Sequence, residues 1–297
     1  MKRLLFIYNP QAGKGTVKAH LSNIVDTFTK AGYLVTIWPT QGKEDATHVA
    51  AQQGWWYDRV VCCGGDDTLS ETVSGLLALD TPPVLGYIPA GTTNDFSKNL
   101  GLPRGVEKAA VTAVEGEARP CDMGRFNGRY FVYVAAFGIF TDVSYGTPQQ
   151  FKNAFGHLAY VLEGATKLGD LGRAYHLQVE HDEGSLEGDF IYGMVTNTLS
   201  VGGFKVFPPK QVSLDDGLFE VVLVRQPRNV ADLQDALFSL VRQDANSSRL
   251  VEAFHTRKLK VTAAEPLPWT LDGEFGGDPE TAVIENLHDA ITLVWGK

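Results

Sequence analysis

The chain has 297 residues, 44% of them hydrophobic and 21% charged, the balance of an ordinary globular protein rather than a disordered, collagen-like or coiled-coil chain. At roughly 100–200 residues per domain, this length points to two domains. Lys and Arg number 26 against 35 Asp and Glu, a formal charge of −9, which excludes a uniformly basic nucleic-acid binder but not a local basic patch.

The chain opens with Lys2-Arg3 and the apolar run 4–8. That run is shorter than the roughly 7–15 apolar residues of a signal peptide, so it reads as the first strand of a cytoplasmic protein. The longest apolar run, 131–140, is about half of the ~20 residues a spanning helix needs. Continuous apolar runs at 4–8, 33–38, 59–63 and 84–88 predict buried parallel strands. Between them, Leu21, Ile24, Val25 and Phe28 follow helical spacing, and 69–79 and 107–114 predict two more helices. Strand alternating with helix predicts an α/β domain with an open parallel sheet. Beyond Pro120 the runs 129–136, 175–181, 189–196, 218–225, 257–263 and 281–295 predict a β-rich second domain. Helical stretches at 151–168 and 230–241 interrupt it. Cys62, Cys63 and Cys121 form no CxxC pair and read as buried, reduced thiols.

Three Gly-rich turns each follow a predicted strand, at the sheet edge where α/β proteins bind ligands. The first is Asn9-Pro10-Gln11-Ala12-Gly13-Lys14-Gly15, whose amides and Lys14 suit a phosphate at a helix N-terminus. It departs from a Walker A loop at Tyr8 and Gly15. The second is Gly64-Gly65-Asp66-Asp67-Thr68, where glycine permits close backbone approach, Asp66 suits a phosphate-bound metal and Thr68 a cap or phosphate contact. The third is Pro89-Ala90-Gly91-Thr92-Thr93-Asn94-Asp95, in which Asn94 or Asp95 also serves as a simple helix cap. Each alone is as readily a plain turn; three on one edge point to a nucleotide or phosphate site. In the second domain, the turn 213–218 fits a hard cation or an ordinary β-turn. Asp272-Gly273-Glu274, if extended, sets two carboxylates on one face, one of them a candidate general base; a tight Asp-Gly hairpin is the alternative.

In their order these segments resemble the diacylglycerol kinase catalytic-domain family, especially its bacterial soluble lipid kinases. The collinear matches are Asn9-Pro10 with Gly13-Lys14-Gly15, Gly64-Gly65-Asp66 with Thr68, and Pro89-Ala90-Gly91-Thr92 with Asn94-Asp95. They continue through Cys121-Asp122-Met123-Gly124, Arg129-Tyr130-Phe131, Leu214-Asp215-Asp216-Gly217-Leu218 and Leu271-Asp272-Gly273-Glu274. The resemblance implies a nucleotide-binding domain over 1–124, like those of NAD kinase and phosphofructokinase. It implies a β-sandwich substrate domain over 125–297, whose last strand is open to returning to the first. It also implies transfer of the γ-phosphoryl of ATP, with Mg²⁺, to a lipid hydroxyl in a cleft between the domains. By motif, Asn9, Gly13, Lys14, Thr40, Gly65, Asp66, Asp67, Thr68, Glu71 and Thr93 would contact nucleotide. Asp95 would organise substrate or metal, Glu274 would accept the proton beside Asp272, and Ser213, Asp216 and Leu218 would hold a metal. The implied setting is cytoplasmic, with transient membrane contact, no nucleic-acid partner, and a homodimer left open. Lys98, Arg104, Lys108, Arg257, Lys258 and Lys260 are the candidate basic contacts.

The family usually has Gly where Asp67 stands, and Tyr133 replaces a common Asn. An extra carboxylate ~4 Å from a phosphate costs about 4 kcal/mol at an effective dielectric of ~20. That is about three orders of magnitude in binding unless a metal bridges the two. Three donor readings stay open: ATP with a metal bridge, a smaller donor such as pyrophosphate, as Asp suggests in phosphofructokinase relatives, or a chain that only binds.

Overall fold

The computed structural model describes residues 1–92, 94–139, 173–201 and 207–296. Two units emerge, Met1–Met123 with His288–Lys297, and Gly124–Leu287. The predicted helix over 151–168 and the site residue Thr93 lie outside the described residues.

Unit 1 is built on four parallel strands, β1 (Lys2–Tyr8), β2 (Tyr33–Pro39), β3 (Arg59–Gly64) and β4 (Val84–Pro89), in the order β4-β3-β1-β2. Leu4, Leu5, Phe6 and Ile7 of β1 are all buried, because both faces of the sheet are covered and no polar alternation is needed. On one face α1 (Thr16–Lys30) and α5 (Val106–Glu115) bring Ile24, Phe28, Ala109 and Ala113 onto Phe6, Val61 and Ile88. The Phe28 ring meets Phe6 edge-on at 5.4 Å. Helices α2 (Asp45–Gln53) and α3 (Asp66–Leu76) pack together, and α4 (Asp95–Asn99) is a short helix after the third loop.

Unit 2 is β-rich and sandwich-like. Its strands are β6 (Arg129–Phe131), β7 (Val134–Gly138), β8 (Tyr175–His181), β9 (Gly184–Thr196), β10 (Phe219–Arg225), β11 (Val251–Thr256), β12 (Lys258–Ala263), β13 (Trp269–Leu271) and β14 (Glu274–Gly277). The long β9 pairs with β8 through its first half, then with β7 and β10 through its second. Tyr175, Leu177 and Val179 alternate inward from β8 onto a core of Phe131, Phe137, Phe190, Phe219 and Trp269. The helix α6 (Val230–Val241) is capped by Asn229, whose side chain accepts the Asp232 amide.

The chain passes between the units twice, within β5 (Glu117–Phe126) and within β15 (Thr281–Trp295). Residues 281–285 of β15 pair with β12, whereas Leu293 aligns in parallel with Leu85 of β4. His288–Lys297 therefore belong with unit 1 rather than with 125–287, because burial of Ile291, Leu293 and Val294 completes the first sheet. At the second crossing, the buried Asp122 carboxylate meets His288 Nδ1 at 2.9 Å and accepts the Asp289 amide at 2.8 Å.

One sequence expectation is corrected here: the run 129–136 is not one strand; it breaks after Phe131 and resumes at Val134. Of the two conformations open to Asp272-Gly273-Glu274, the structure has the hairpin. Asp272 (φ 50°) and Gly273 (φ 89°) form the two-residue tip of the β13–β14 hairpin, with Leu271 opposite Glu274. Positive φ at both tip residues matches the twist of the flanking strands, and Asp-Gly tolerates it best.

Candidate active site

In unit 1 the carboxyl ends of β1, β3 and β4 bring the three loops side by side. The Asn9 amide donates to the Cys63 carbonyl at 2.9 Å, and the Ala90 and Gly91 amides donate to the Gly64 carbonyl at 2.8 and 3.2 Å. Thr40, just past β2, donates its amide to the Tyr8 carbonyl at 2.9 Å and so joins the same edge. The Asn9 side chain accepts the Gln11 amide at 2.8 Å and shapes the 3-10 turn Ala12–Gly15, which holds Gly13 and the Lys14 backbone. The Lys14 side chain lies outside the described residues.

The second and third loops are clasped. A Cβ on Gly91 would stand 2.6 Å from the Gly65 Cα, so this approach requires glycine. Asp66 reaches across the gap and accepts the Asp95 and Phe96 amides at 2.8 and 3.3 Å, capping α4. Asn94, a cap candidate by sequence, instead bonds back to the Gly91 amide and carbonyl at 2.9 and 2.7 Å. Asp95 is buried and paired with Lys98 Nζ at 2.8 Å. The Thr68 side chain folds over Gly64, where an added Cβ would lie 2.3 Å from its hydroxyl. The Glu71 carboxylate accepts the Glu44 amide at 2.8 Å at the start of α2; partial burial raises its pKa, and the Asp67 charge adds to the rise. Asp67 is exposed, and its carboxylate turns back over the loop, 2.5 Å from where a Gly65 Cβ would be. It therefore sits where the N-terminus of α3 favours an anion.

In unit 2 the Asp272 carboxylate accepts three consecutive amides, from Val132, Tyr133 and Val134, at 2.7, 2.9 and 3.1 Å. This is what breaks the 129–136 run: the Val132 and Tyr133 amides turn to a carboxylate instead of a strand partner. Glu274, exposed at the start of β14, thus stands on an anchored hairpin.

The turn 213–218 is held by its own side chains. The Ser213 hydroxyl bonds Asp215 Oδ1 at 2.5 Å, and Asp216 Oδ1 accepts the Leu218 amide at 3.0 Å. Just beyond it, sequence reading missed Glu220, a fully buried carboxylate whose pKa burial pushes up to about 9, with the Asp216 charge adding to the rise. The Thr198 amide and the Thr196 hydroxyl lie near its oxygens, but neither completes a hydrogen bond of ordinary geometry. Hard oxygen donors beside an orphaned buried carboxylate fit a divalent cation. The signal for Glu220 was a single acid inside the otherwise apolar strand 219–224.

Of the basic candidates, Lys98 pairs with Asp95, Lys258 with Glu285 and Lys260 with Glu180. The strand register sets the last two against acids, so they are paired surface groups rather than a basic patch. Among the described residues, no helix is long and apolar enough to cross a membrane.

A parallel sheet with clasped glycine loops, followed by a β-sandwich, is the architecture here, and the family it matches is one of phosphotransferases that act on an alcohol group. Residues 3–126 match the family described as diacylglycerol kinase catalytic domain, and residues 137–294 the YegS C-terminal NAD kinase beta sandwich-like domain. The chain belongs to the diacylglycerol kinase catalytic-domain family. It is 38% identical to the diacylglycerol kinase of Bacillus subtilis (strain 168) over 279 residues, covering 93% of this chain and 91% of that one. Against the diacylglycerol kinase of Staphylococcus saprophyticus it is 33% identical over 277 residues, covering 93% and 90%. A crystal structure of a diacylglycerol kinase from Bacillus anthracis str. Sterne shares the fold, with TM-score 0.78 and 23% identity over 99% of this chain and 97% of that chain.

Proposed function

We propose that this kinase transfers the γ-phosphoryl group of ATP, with Mg²⁺, to the hydroxyl of a lipid alcohol such as diacylglycerol. The observation that carries the donor side is the clasp of the second loop to the third, through Asp66 and the Gly65–Gly91 contact. It presents main-chain amides and glycine surfaces at one sheet edge, which suits a polyphosphate. Asn9, Gly13, Lys14, Thr40, Gly65, Thr68 and Thr93 are the proposed nucleotide contacts. In this reading Asp66 and Glu71 act by fixing the loops around the nucleotide, and Asp95 by its pairing with Lys98.

The acceptor is drawn from the Bacillus and Staphylococcus relatives, which are diacylglycerol kinases. Glu274 takes the proton from the lipid hydroxyl as its oxygen attacks, and Asp272 holds the hairpin that positions it. Ser213, Asp216 and Leu218 would hold a divalent cation, with the Asp216 carboxylate among the donors. Bound Mg²⁺ neutralises phosphate charge that would otherwise oppose transfer. A lipid acceptor also implies a cytoplasmic enzyme that visits a membrane surface. The test is transfer of labelled phosphate from ATP to dispersed diacylglycerol. Transfer from pyrophosphate but not ATP would replace the donor, and no transfer to any lipid alcohol would overturn the acceptor.

A further inference from the structure

The strand that leaves the acidic turn carries an acid that the sandwich core does not use. Phe219 and Val221 of β10 point into the core, so alternation sends the Glu220 side chain to the opposite face. Glu220 is 0% exposed; the Thr198 amide and the Thr196 hydroxyl lie near its carboxylate but short of full hydrogen-bond geometry, and no Lys or Arg among the described residues pairs with it. Native proteins rarely leave a buried carboxylate in that condition, because an acid out of water stays neutral unless a partner or a metal meets its charge.

The turn lies toward this acid. His255 of β11 stands directly opposite Glu220 in the antiparallel pair and so shares its face of the sheet. His255 Nε2 meets the Gln211 carbonyl at 3.0 Å, which ties the segment leading into the turn to that face. Asp216 lies on the turn that leads into β10, four residues before Glu220, and its charge raises the Glu220 pKa. The turn and the strand it enters thus carry these two carboxylates, and neither forms an ion pair with Lys or Arg among the described residues.

We propose that Glu220 contributes its carboxylate to the divalent-cation site of the 213–218 turn, so that it and Asp216 together balance the two charges of the ion. This rests on the cation reading of that turn given above. A turn whose two aspartates, Asp215 and Asp216, are both exposed is an open and weak site; a buried carboxylate makes it a closed one, with oxygen donors of the kind Mg²⁺ and Mn²⁺ prefer.

The test is binding of MgCl2 and MnCl2 to the full chain, without nucleotide or lipid, by calorimetric titration and by the rise in melting temperature. Wild type is compared with Glu220→Gln, Glu220→Asp and Asp216→Asn. Glu220→Gln is expected to lose cation affinity by on the order of 10–100-fold, the range seen when groups around a metal are removed. Its melting temperature without cation should be no lower than that of wild type, since a neutral amide fills the same volume. Glu220→Asp, which keeps the charge but shortens the arm, should bind between wild type and Glu220→Gln. Wild-type affinity in Glu220→Gln alongside loss in Asp216→Asn overturns the role of Glu220 and keeps the turn as a cation site. Undiminished binding in Asp216→Asn overturns the cation reading of the turn itself. Equal losses in Glu220→Asp and Glu220→Gln overturn the proposal in favour of a packing role.

Discussion

Both units use one acid as a clasp and expose a second acid beside it. In unit 1 Asp66 holds the amides of residues 95 and 96, while Asp67 is exposed. In unit 2 Asp272 holds the amides of residues 132–134, while Glu274 is exposed. The clasps do the same work: a carboxylate takes orphan amides and fixes a loop at a sheet edge. The exposed acids differ in sign of effect. In the proposed reaction Glu274 accepts a proton from an alcohol, which a carboxylate does well. In the same reading Asp67 lies beside an anionic donor and opposes it. The comparison separates what builds a loop from what the loop meets.

The largest effect that tests this contrast is at Glu274. Glu274→Gln should lower kcat by roughly 10²–10⁴-fold, the usual worth of a general base. Its melting temperature should stay near wild type, because the side chain is exposed. Retained turnover in a radiolabel transfer assay would remove Glu274 from the chemistry. Asp272→Ala should instead act first on stability, by about 3 kcal/mol in urea unfolding, since three amides lose a charged acceptor. A fall in kcat without that loss would make Asp272 a reacting group rather than a clasp.

Asp67→Gly should lower the KM for ATP by about tenfold, equivalent to about 1.4 kcal/mol. This is less than the buried-charge figure because an exposed carboxylate is screened, and the gain should shrink at high salt. The same change should cost about 1 kcal/mol of stability, for glycine in the first turn of α3. An unchanged KM would mean that the bound cation already neutralises Asp67.

The smallest effect concerns His176, whose pKa is raised from 6.5 by bonds to Asp189 and then Glu187. A raised value means its stabilising contribution is complete below 6.5 and disappears as pH climbs through the folded-state value. His176→Ala should therefore flatten the decline in stability as pH rises above 6.5, measurably only at low salt.

The core strands were legible because each is a local pattern. Residues 4–7 are buried on both faces and read as a continuous apolar run. β11 was missed because Val251–Thr256 carries Glu252 and His255 on a half-covered surface and shows no such run. The break after Phe131 was illegible for a different reason, since its cause, the Asp272 carboxylate, lies 140 residues away in sequence. The hairpin at Asp272-Gly273 was one of two conformations that the dipeptide permits, and the pairing of Leu271 with Glu274 selects it. The loops of unit 1 were visible as glycine and small polar residues. That Asp66 rather than Asn94 caps α4 depends on the approach of two loops, which no spacing within either one encodes.

The return of β15 to the first sheet has a consequence for how the protein is made. A ribosome delivers residues 1–123 first, yet β4 keeps an open hydrogen-bonding edge until residues near 293 have emerged. The first unit to be translated is thus the last to be closed, after the whole of residues 124–287 has been added. An unpaired edge held open through most of synthesis invites pairing with other nascent chains, so prompt folding of the intervening unit protects the one that came before it.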